Sequence, residues 1–358
     1  LGGWLADRAG PRVVLTALSL VWGIATILTG ASAGLASLVA VRVVLGAGEG
    51  GAFPAATRAM AFWMPPTERG FAQGATHAFA RLGGAITPPV VLAIALAHGW
   101  RASFVVLGAM SLAWTGLWVV VFRDAPAEHP WASEREIAEL TALAPPRAGR
   151  RAAPTPFRAL ARAMGLVTFV DFCYGFSLWV FLTWLPSYLK DARGFDLQHM
   201  ALASSLPLLA GVVGDALGGA ASDALLRRTG RLRVARSGVV VLGFVGSVAC
   251  LGPAVLSGSA AIAVGCLAAS FFFLELTNAV LWALPLDIAK GHAGTAGGMM
   301  NTGFGVAGMI SPVVFGALVQ STGSYRAPFA VTAALLLVGA VAACFVDPAR
   351  RAAELDSH

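Results

Sequence analysis

Charge is what this sequence has least of. Only 12% of its 358 residues are Asp, Glu, Lys or Arg, against 57% hydrophobic, and mean hydropathy is +0.75. A water-soluble domain carries about twice that share of charge, so the composition excludes one and makes the bilayer the solvent. Cysteine is scarce as well. Cys173, Cys250, Cys266 and Cys344 all fall in apolar runs without CxxC or metal-ligand spacing, which gives neither a disulfide framework nor a metal site. No loop concentrates His, Asp, Glu or Cys at catalytic spacing, and connections such as SAGLAS are too short for a ligand-binding domain. An integral-membrane enzyme or receptor therefore has no support, and no cofactor is expected. Period-two alternation is missing too, so the apolar runs are helices rather than strands of an outer-membrane barrel.

What is present is a series of ten apolar runs near 13–32, 37–57, 70–95, 102–122, 165–189, 200–221, 235–256, 259–284, 295–319 and 328–346. Each is long enough to cross roughly 30 Å of hydrocarbon as a helix. The net charge of +7 raises nucleic acid as a partner, but the distribution of the 25 basic residues argues for topology instead. With the first residues cytoplasmic, Arg101, Lys190, Arg193 and Arg326 lie outside, Arg42 and Arg81 lie within spans, and the rest are cytoplasmic. That is the positive-inside rule.

The chain repeats itself. GGWLAD (Gly2 to Asp7) recurs as GGAASD (Gly218 to Asp223), TPPVV as SPVVF and GWRASF as SYRAPF, at offsets of 216, 224 and 225. Matches in one order at nearly one offset imply two halves related by duplication. In the second half two spans precede the GGxxxD turn and in the first none does, so the expectation is a chain truncated at its amino terminus, with ten of twelve helices present. The predicted organisation is an N-terminal bundle over 1–122, a cytoplasmic linker over 123–162, a C-terminal six-helix bundle over 163–346 and a tail over 347–358. Within the linker, SEREIAEL has the Ser133–Glu136 capping-box spacing of a short amphipathic helix.

GGWLADRAGPR resembles the loop signature of the major facilitator superfamily, with Asp7, Arg8, Gly10 and Arg12 matching. The resemblance implies an all-helical membrane fold of two pseudo-symmetric bundles and a conformational latch made by Asp7, Arg8 and Arg12, with Asp223 as the looser second copy. RVVLGAGEGGAFPA, Arg42 to Ala55, is similar to the fourth-helix signature of the anion:cation symporter family. GWRASFVVLGAMSLAWTGLWVVVFRDAPAEHPWAS, TWLPSYLKDARGF, ELTNAVLWALPLDIA and GTAGGMMNTGFGVAGMISPVVFG are similar to its hexuronate, glucarate and galactonate branch. In that family the first helix contributes a substrate-binding cation, which this stretch of sequence does not contain.

Arg42 and Glu49 are seven residues apart, so they share a helix face about 10 Å apart along the axis, with Gly46 and Gly50 offering close approach to another helix. A carboxylate near the midplane must face the interior, pair, or take up a proton. The pattern allows a proton-coupling pair or a static Arg–Glu pair. Gln73, His77 and Arg81 recur every fourth residue and make a polar stripe on one face. Arg81 is suited to bidentate capture of a carboxylate and equally to a salt bridge with a neighbouring helix, for which Glu275 is a candidate. His77 reads as a cavity-lining residue, Asn301 matches a family position implicated in binding substrate hydroxyls, and Asp171 and Asp215 read as latch or packing residues. Asp171 and Tyr174 are placed at the opening of their helix.

The resemblance implies secondary active transport: a small organic anion, such as a hexuronate, glucarate or galactonate, enters with a coupling proton, or with sodium, by alternating access. The carrier is expected as a monomer crossing a bacterial inner membrane many times, with no nucleic-acid partner. An exporter exchanging drug-like cations for protons is the competing reading of the same fold. Such carriers show GxxxGPxxGG in the fifth helix, where this chain has RLGGAITPPVV, and Arg81 would repel cations.

Overall fold

The computed structural model describes residues 1–143 and 155–356. Among them the regular structure is helical: α1 (Gly2–Ala9), α2 (Pro11–Gly30), α3 (Leu35–Glu49), α4 (Ala52–Trp63), α5 (Arg69–His98), α6 (Trp100–Val121) and α7 (Glu134–Leu143). After the part of the predicted linker that falls outside the described residues come α8 (Phe157–Ser187), α9 (Leu197–Thr229), α10 (Leu232–Leu256), α11 (Ala260–Ile288), α12 (Ala293–Thr322), α13 (Arg326–Cys344) and α14 (Pro348–Asp356). Ten candidate spans are long and apolar enough to cross a bilayer, α3 and α4 counting as one. They fall where the ten apolar runs are. The short linker helix is α7, and the Glu136 backbone N–H donates to Ser133 Oγ at 3.3 Å, which is half of the predicted capping box.

Three details differ from the sequence reading. The run at 37–57 is two helices, because Pro54 has no N–H to donate to the Gly50 carbonyl and the chain breaks at Gly50 and Gly51. Glu49 is therefore the last residue of α3. The GGxxxD segments are not turns: Gly2 to Asp7 lies in α1 and Gly218 to Asp223 lies inside α9. The turning is done further on by Gly10 and Gly230, both at positive φ, 88° and 63°. Asp171 and Tyr174 do not open their helix. Two earlier turns carrying Arg158 and Arg162, too polar to count in an apolar run, put Asp171 in the middle of α8.

The chain forms two compact units, both discontinuous in sequence. The first comprises Leu1–Pro65, Ile86–Thr155 and Ala289–Gly298, and the second Pro66–Ala85, Pro156–Ile288 and Met299–His358. Neither coincides with the predicted 1–122 and 163–346. Both α5 and α12 are divided, because the start of each is hydrogen-bonded into the unit that its remainder does not share. In the first unit Ala6, Val14, Leu15 and Ala55 pack with Leu18, Ala56 and Trp118. In the second, Leu160, Met164, Phe244, Phe271 and Phe315 are fully buried. In lipid such cores are held by close packing rather than by exclusion of water.

Candidate functional site

Helix α5 enters the second unit with its polar stripe turned to α11. Gln73 Nε2 donates to the Trp282 carbonyl at 3.2 Å, and the His77 ring lies 5.5 Å from the Trp282 ring. Both residues are buried. Two turns on from Gln73, Arg81 reaches Glu275, two turns back along α11, so the stripes run against one another. The sequence placed Gln73, His77 and Arg81 on one face, and the structure puts them there.

Arg81 is the centre of a charged cluster. Its Nε donates to Glu275 Oε2 at 3.1 Å, and its second amino nitrogen donates to Tyr174 Oη at 2.9 Å. Tyr174 passes the bond on, donating to the same Glu275 oxygen at 3.0 Å. Asp215 of α9 stands 3.9 Å from Arg81 Nε, and its other oxygen accepts from Asn278 Nδ2 at 2.9 Å. Asp215 and Glu275 are fully buried, whereas the Arg81 side chain is 19% exposed. The guanidinium is thus fixed from one side and open on the other. Asn301, half-buried, sits one turn before Phe304, whose ring stacks over Tyr174 at 6.2 Å. Asp215, read from sequence as a latch or packing residue, belongs to this cluster instead. Nothing local announced it, since Arg81 and Asp215 are 134 residues apart.

Arg42 and Glu49, in the first unit, do share a face, but both are exposed among the described residues and no ion pair joins them. The Arg42 guanidinium lies over the Phe104 ring at 5.7 Å. The Gly46–Gly50 approach is not made: no described atom of another helix meets that face, and the close approach falls to Gly48 and Gly51, against Trp22, Leu18 and Gly2.

Asp7 caps α12. It accepts from the backbone N–H groups of Gly294 at 3.0 Å and Thr295 at 2.7 Å, from Thr295 Oγ1, and pairs with Arg58 at 3.2 Å. Asp223 does the same for α5 in the second unit, accepting from Gly70 N at 3.1 Å and Phe71 N at 2.7 Å and pairing with Arg236 at 2.8 Å. Anionic oxygen at a helix amino terminus is the favourable geometry for both. Arg8 and Arg12 are not the partners. Arg8 lies over the Trp4 ring at 4.4 Å, and Arg12 donates its backbone N–H to Asp124 at 2.8 Å. Sequence reading missed Arg58 and Arg236 by counting them as cytoplasmic loop charges. It also missed Asp287, which accepts from Arg69 at 3.0 Å and from Arg236 at 2.7 Å.

Among the described residues no three His, Cys, Asp or Glu side chains gather as a metal site. A model of the Major Facilitator Superfamily matches residues 1–312. The chain belongs to the Major Facilitator Superfamily. It is 60% identical over 348 residues to the probable sulfoacetate transporter SauU of Cupriavidus necator, covering 97% of this chain and 81% of that one. It is 33% identical over 352 residues to the hexuronate transporter of Bacillus subtilis, covering 97% and 82%. Among solved facilitator structures, the proton:xylose symporter XylE aligns with a TM-score of 0.74 at 16% identity over 95% of this chain and 81% of that one. The human organic anion transporter MFSD10 aligns at 0.73 and 17% identity over 96% and 79%. At those identities the structures speak for the fold. The relatives named for hexuronate, and for galactarate and glucarate, are those the sequence motifs pointed to. A sulfoacetate carrier was not among the expectations. This facilitator is a multi-pass membrane transporter, not an enzyme.

Proposed function

We propose that this protein is a proton-coupled symporter of a small organic anion in a bacterial inner membrane, acting as a monomer by alternating access. The observation that carries the reading is Arg81: a permanently charged fork in mid-helix, held on one side by Glu275 and Tyr174 and open on the other. Such a fork binds an oxyanion with two parallel hydrogen bonds and repels cations. His77 and Gln73 extend the polar wall of α5, and Asn301 supplies an amide for the substrate. A guanidinium accepts carboxylate and sulfonate alike, so the fork does not choose between a sulfonated acid and a sugar acid. Likeness at 60% to a probable sulfoacetate carrier, against 33% to a hexuronate carrier, puts sulfoacetate first and hexuronate second.

Glu49 is the proposed proton carrier, with Arg42 two turns away on the same helix face. The motor is electrostatic. An anion seated at the guanidinium and a proton on Glu49 offset one another's charge when both are present, so a half-loaded carrier is penalised. Asp7, with Arg8 and Arg12 close by in sequence, and Asp223 form the latches, the two aspartates letting go of the helix ends they cap when the carrier changes state.

The test is uptake by the intact protein in proteoliposomes, offered labelled sulfoacetate, glucuronate, glucarate and galactonate under imposed proton or sodium gradients. The expected result is proton-driven accumulation of sulfoacetate that sodium does not alter. Accumulation only with sodium, or of none of these acids, contradicts the reading.

A further inference from the structure

Two buried charge clusters in the second unit differ in their arithmetic. Arg69 and Arg236 stand against Asp223 and Asp287, two cations to two carboxylates. Arg81 alone stands against both Asp215 and Glu275, whose side chains are 0% exposed. With both carboxylates ionised this second cluster holds an unbalanced negative charge at the core of a membrane protein, which is costly. The hydrogen bonds point to the same deficit. Asp215 Oδ2 and Glu275 Oε1 are buried and have no hydrogen-bond partner among the described residues, although their sister oxygens are taken by Asn278 and by Arg81 and Tyr174. The two carboxyl groups converge on one nitrogen, Arg81 Nε, at 3.1 Å for Glu275 Oε2 and 3.9 Å for Asp215 Oδ2, so what the pair lacks is a donor. One proton supplies it and balances the charge.

We propose that Asp215 and Glu275 form a second proton site, holding one shared proton beside Arg81 in the empty carrier and taking up another when a bound anion displaces the remaining carboxylate from the guanidinium. The charges balance at each stage. Before binding, Arg81 is neutralised by one carboxylate and the other carboxyl is protonated. After binding, Arg81 is neutralised by the anionic group of the substrate and both carboxyls are protonated. The one anionic group that takes the place of a carboxylate at Arg81 thus brings one proton to the pair, in addition to any carried by Glu49. The resident proton is a property of the cluster alone, and the second rests on the proposed anion transport.

Among the described residues the surroundings hold nothing else that balances the pair. Helix α5 presents Gln73, His77 and Arg81, with His77 against Trp282. Helix α8 presents Tyr174 and, one turn earlier, Asp171, a buried carboxyl with no hydrogen-bond partner among the described residues. Helix α9 adds Asp223 and α11 adds Asp287, both committed to Arg236 of α10. Helix α12 adds the neutral Asn301.

Infrared difference spectroscopy of the detergent-purified protein, titrated with pH without substrate, reads protonated carboxyls by their C=O band. Because Asp171 contributes a band of its own, the measurement is made in Asp171→Asn. The expected result is a buried acid band persisting at neutral pH that disappears in Asp215→Asn and equally in Glu275→Gln, since either remaining carboxylate then pairs one-to-one with Arg81. No such band, a band that survives both substitutions, or one removed by only one of them overturns the shared proton. Asp215→Ser replaces Asp215→Asn if the latter does not fold. For the second proton, calorimetric titration with sulfoacetate in buffers of different ionisation enthalpy is expected to show uptake of about one proton more in the parent protein than in the double variant Asp215→Asn/Glu275→Gln, which has no carboxyl left beside Arg81 to protonate. Equal uptake in the two overturns that step. Sulfoacetate and sugar acids failing to bind at all refutes the carrier reading while leaving the infrared result to judge the pair.

Discussion

Asp7 and Asp223, 216 positions apart in the sequence, each place a carboxylate on the first backbone N–H groups of a helix, α12 for Asp7 and α5 for Asp223. Their arginines differ in how well they are supported. Arg236 keeps Asp287 at 2.7 Å if Asp223 is lost, whereas Arg58 falls back on the Lys290 carbonyl, the Phe62 ring and the longer-range attraction of Asp124. Asp7→Asn is therefore expected to cost about 3–5 kcal/mol, the usual result of stranding a buried charge. Asp223→Asn is expected to cost about 1.5–3 kcal/mol, the worth of hydrogen bonds to a charged group. Thermal unfolding in detergent ranks them, and equal losses would contradict the argument.

Gly3 and Gly219 occupy matching places in the repeat and meet matching obstacles. A methyl group on Gly3 would land on the Gly294 carbonyl oxygen, and one on Gly219 on the Gly70 carbonyl oxygen. Gly238, exposed in α10, has nothing within 4 Å. Gly3→Ala and Gly219→Ala are expected to destabilise by about 1–3 kcal/mol through overpacking. Gly238→Ala is expected to stabilise by up to about 1 kcal/mol through helix propensity. Opposite signs in the melting temperature check the assignment of close packing.

Arg81→Lys keeps the charge and loses the fork. A single ammonium cannot bond Glu275 and Tyr174 in the same geometry and still present two parallel donors to an anion. Half-saturation for the transported anion is expected to rise about 10- to 100-fold, equivalent to about 1.5–3 kcal/mol. Uptake kinetics in proteoliposomes measure it, and an unchanged half-saturation would remove Arg81 from the anion site.

Glu49→Gln removes the proposed proton carrier at the end of α3 and leaves the guanidinium of Arg81 in place. Accumulation against a gradient is expected to fall sharply while counterflow exchange of labelled for unlabelled anion persists. Equal loss of both would make Glu49 a structural residue.

The spans were legible because hydropathy over 20 residues is a local property, and so was the shared face of Gln73, His77 and Arg81, which follows from 3.6 residues per turn. The break after Glu49 was written in Pro54, whose missing N–H falls one turn downstream, but an apolar run read for length passes over it. Partners were mostly illegible. Arg58 with Asp7, Arg236 with Asp287 and Arg81 with Asp215 join residues between 51 and 134 positions apart, and no periodicity encodes which of several buried carboxylates a given arginine reaches. Glu275 was within reach of reasoning only because a membrane arginine calls for a counter-charge. Asp215 had no such signal.

The measurement that bears most directly on proton–anion symport needs no imposed gradient. Intact protein in weakly buffered proteoliposomes is given sulfoacetate from outside while external pH is followed. Symport predicts alkalinisation that begins with anion entry, is absent from liposomes lacking the protein, and is smaller in Glu49→Gln. Anion entry with no movement of external pH, or with acidification, would contradict the account.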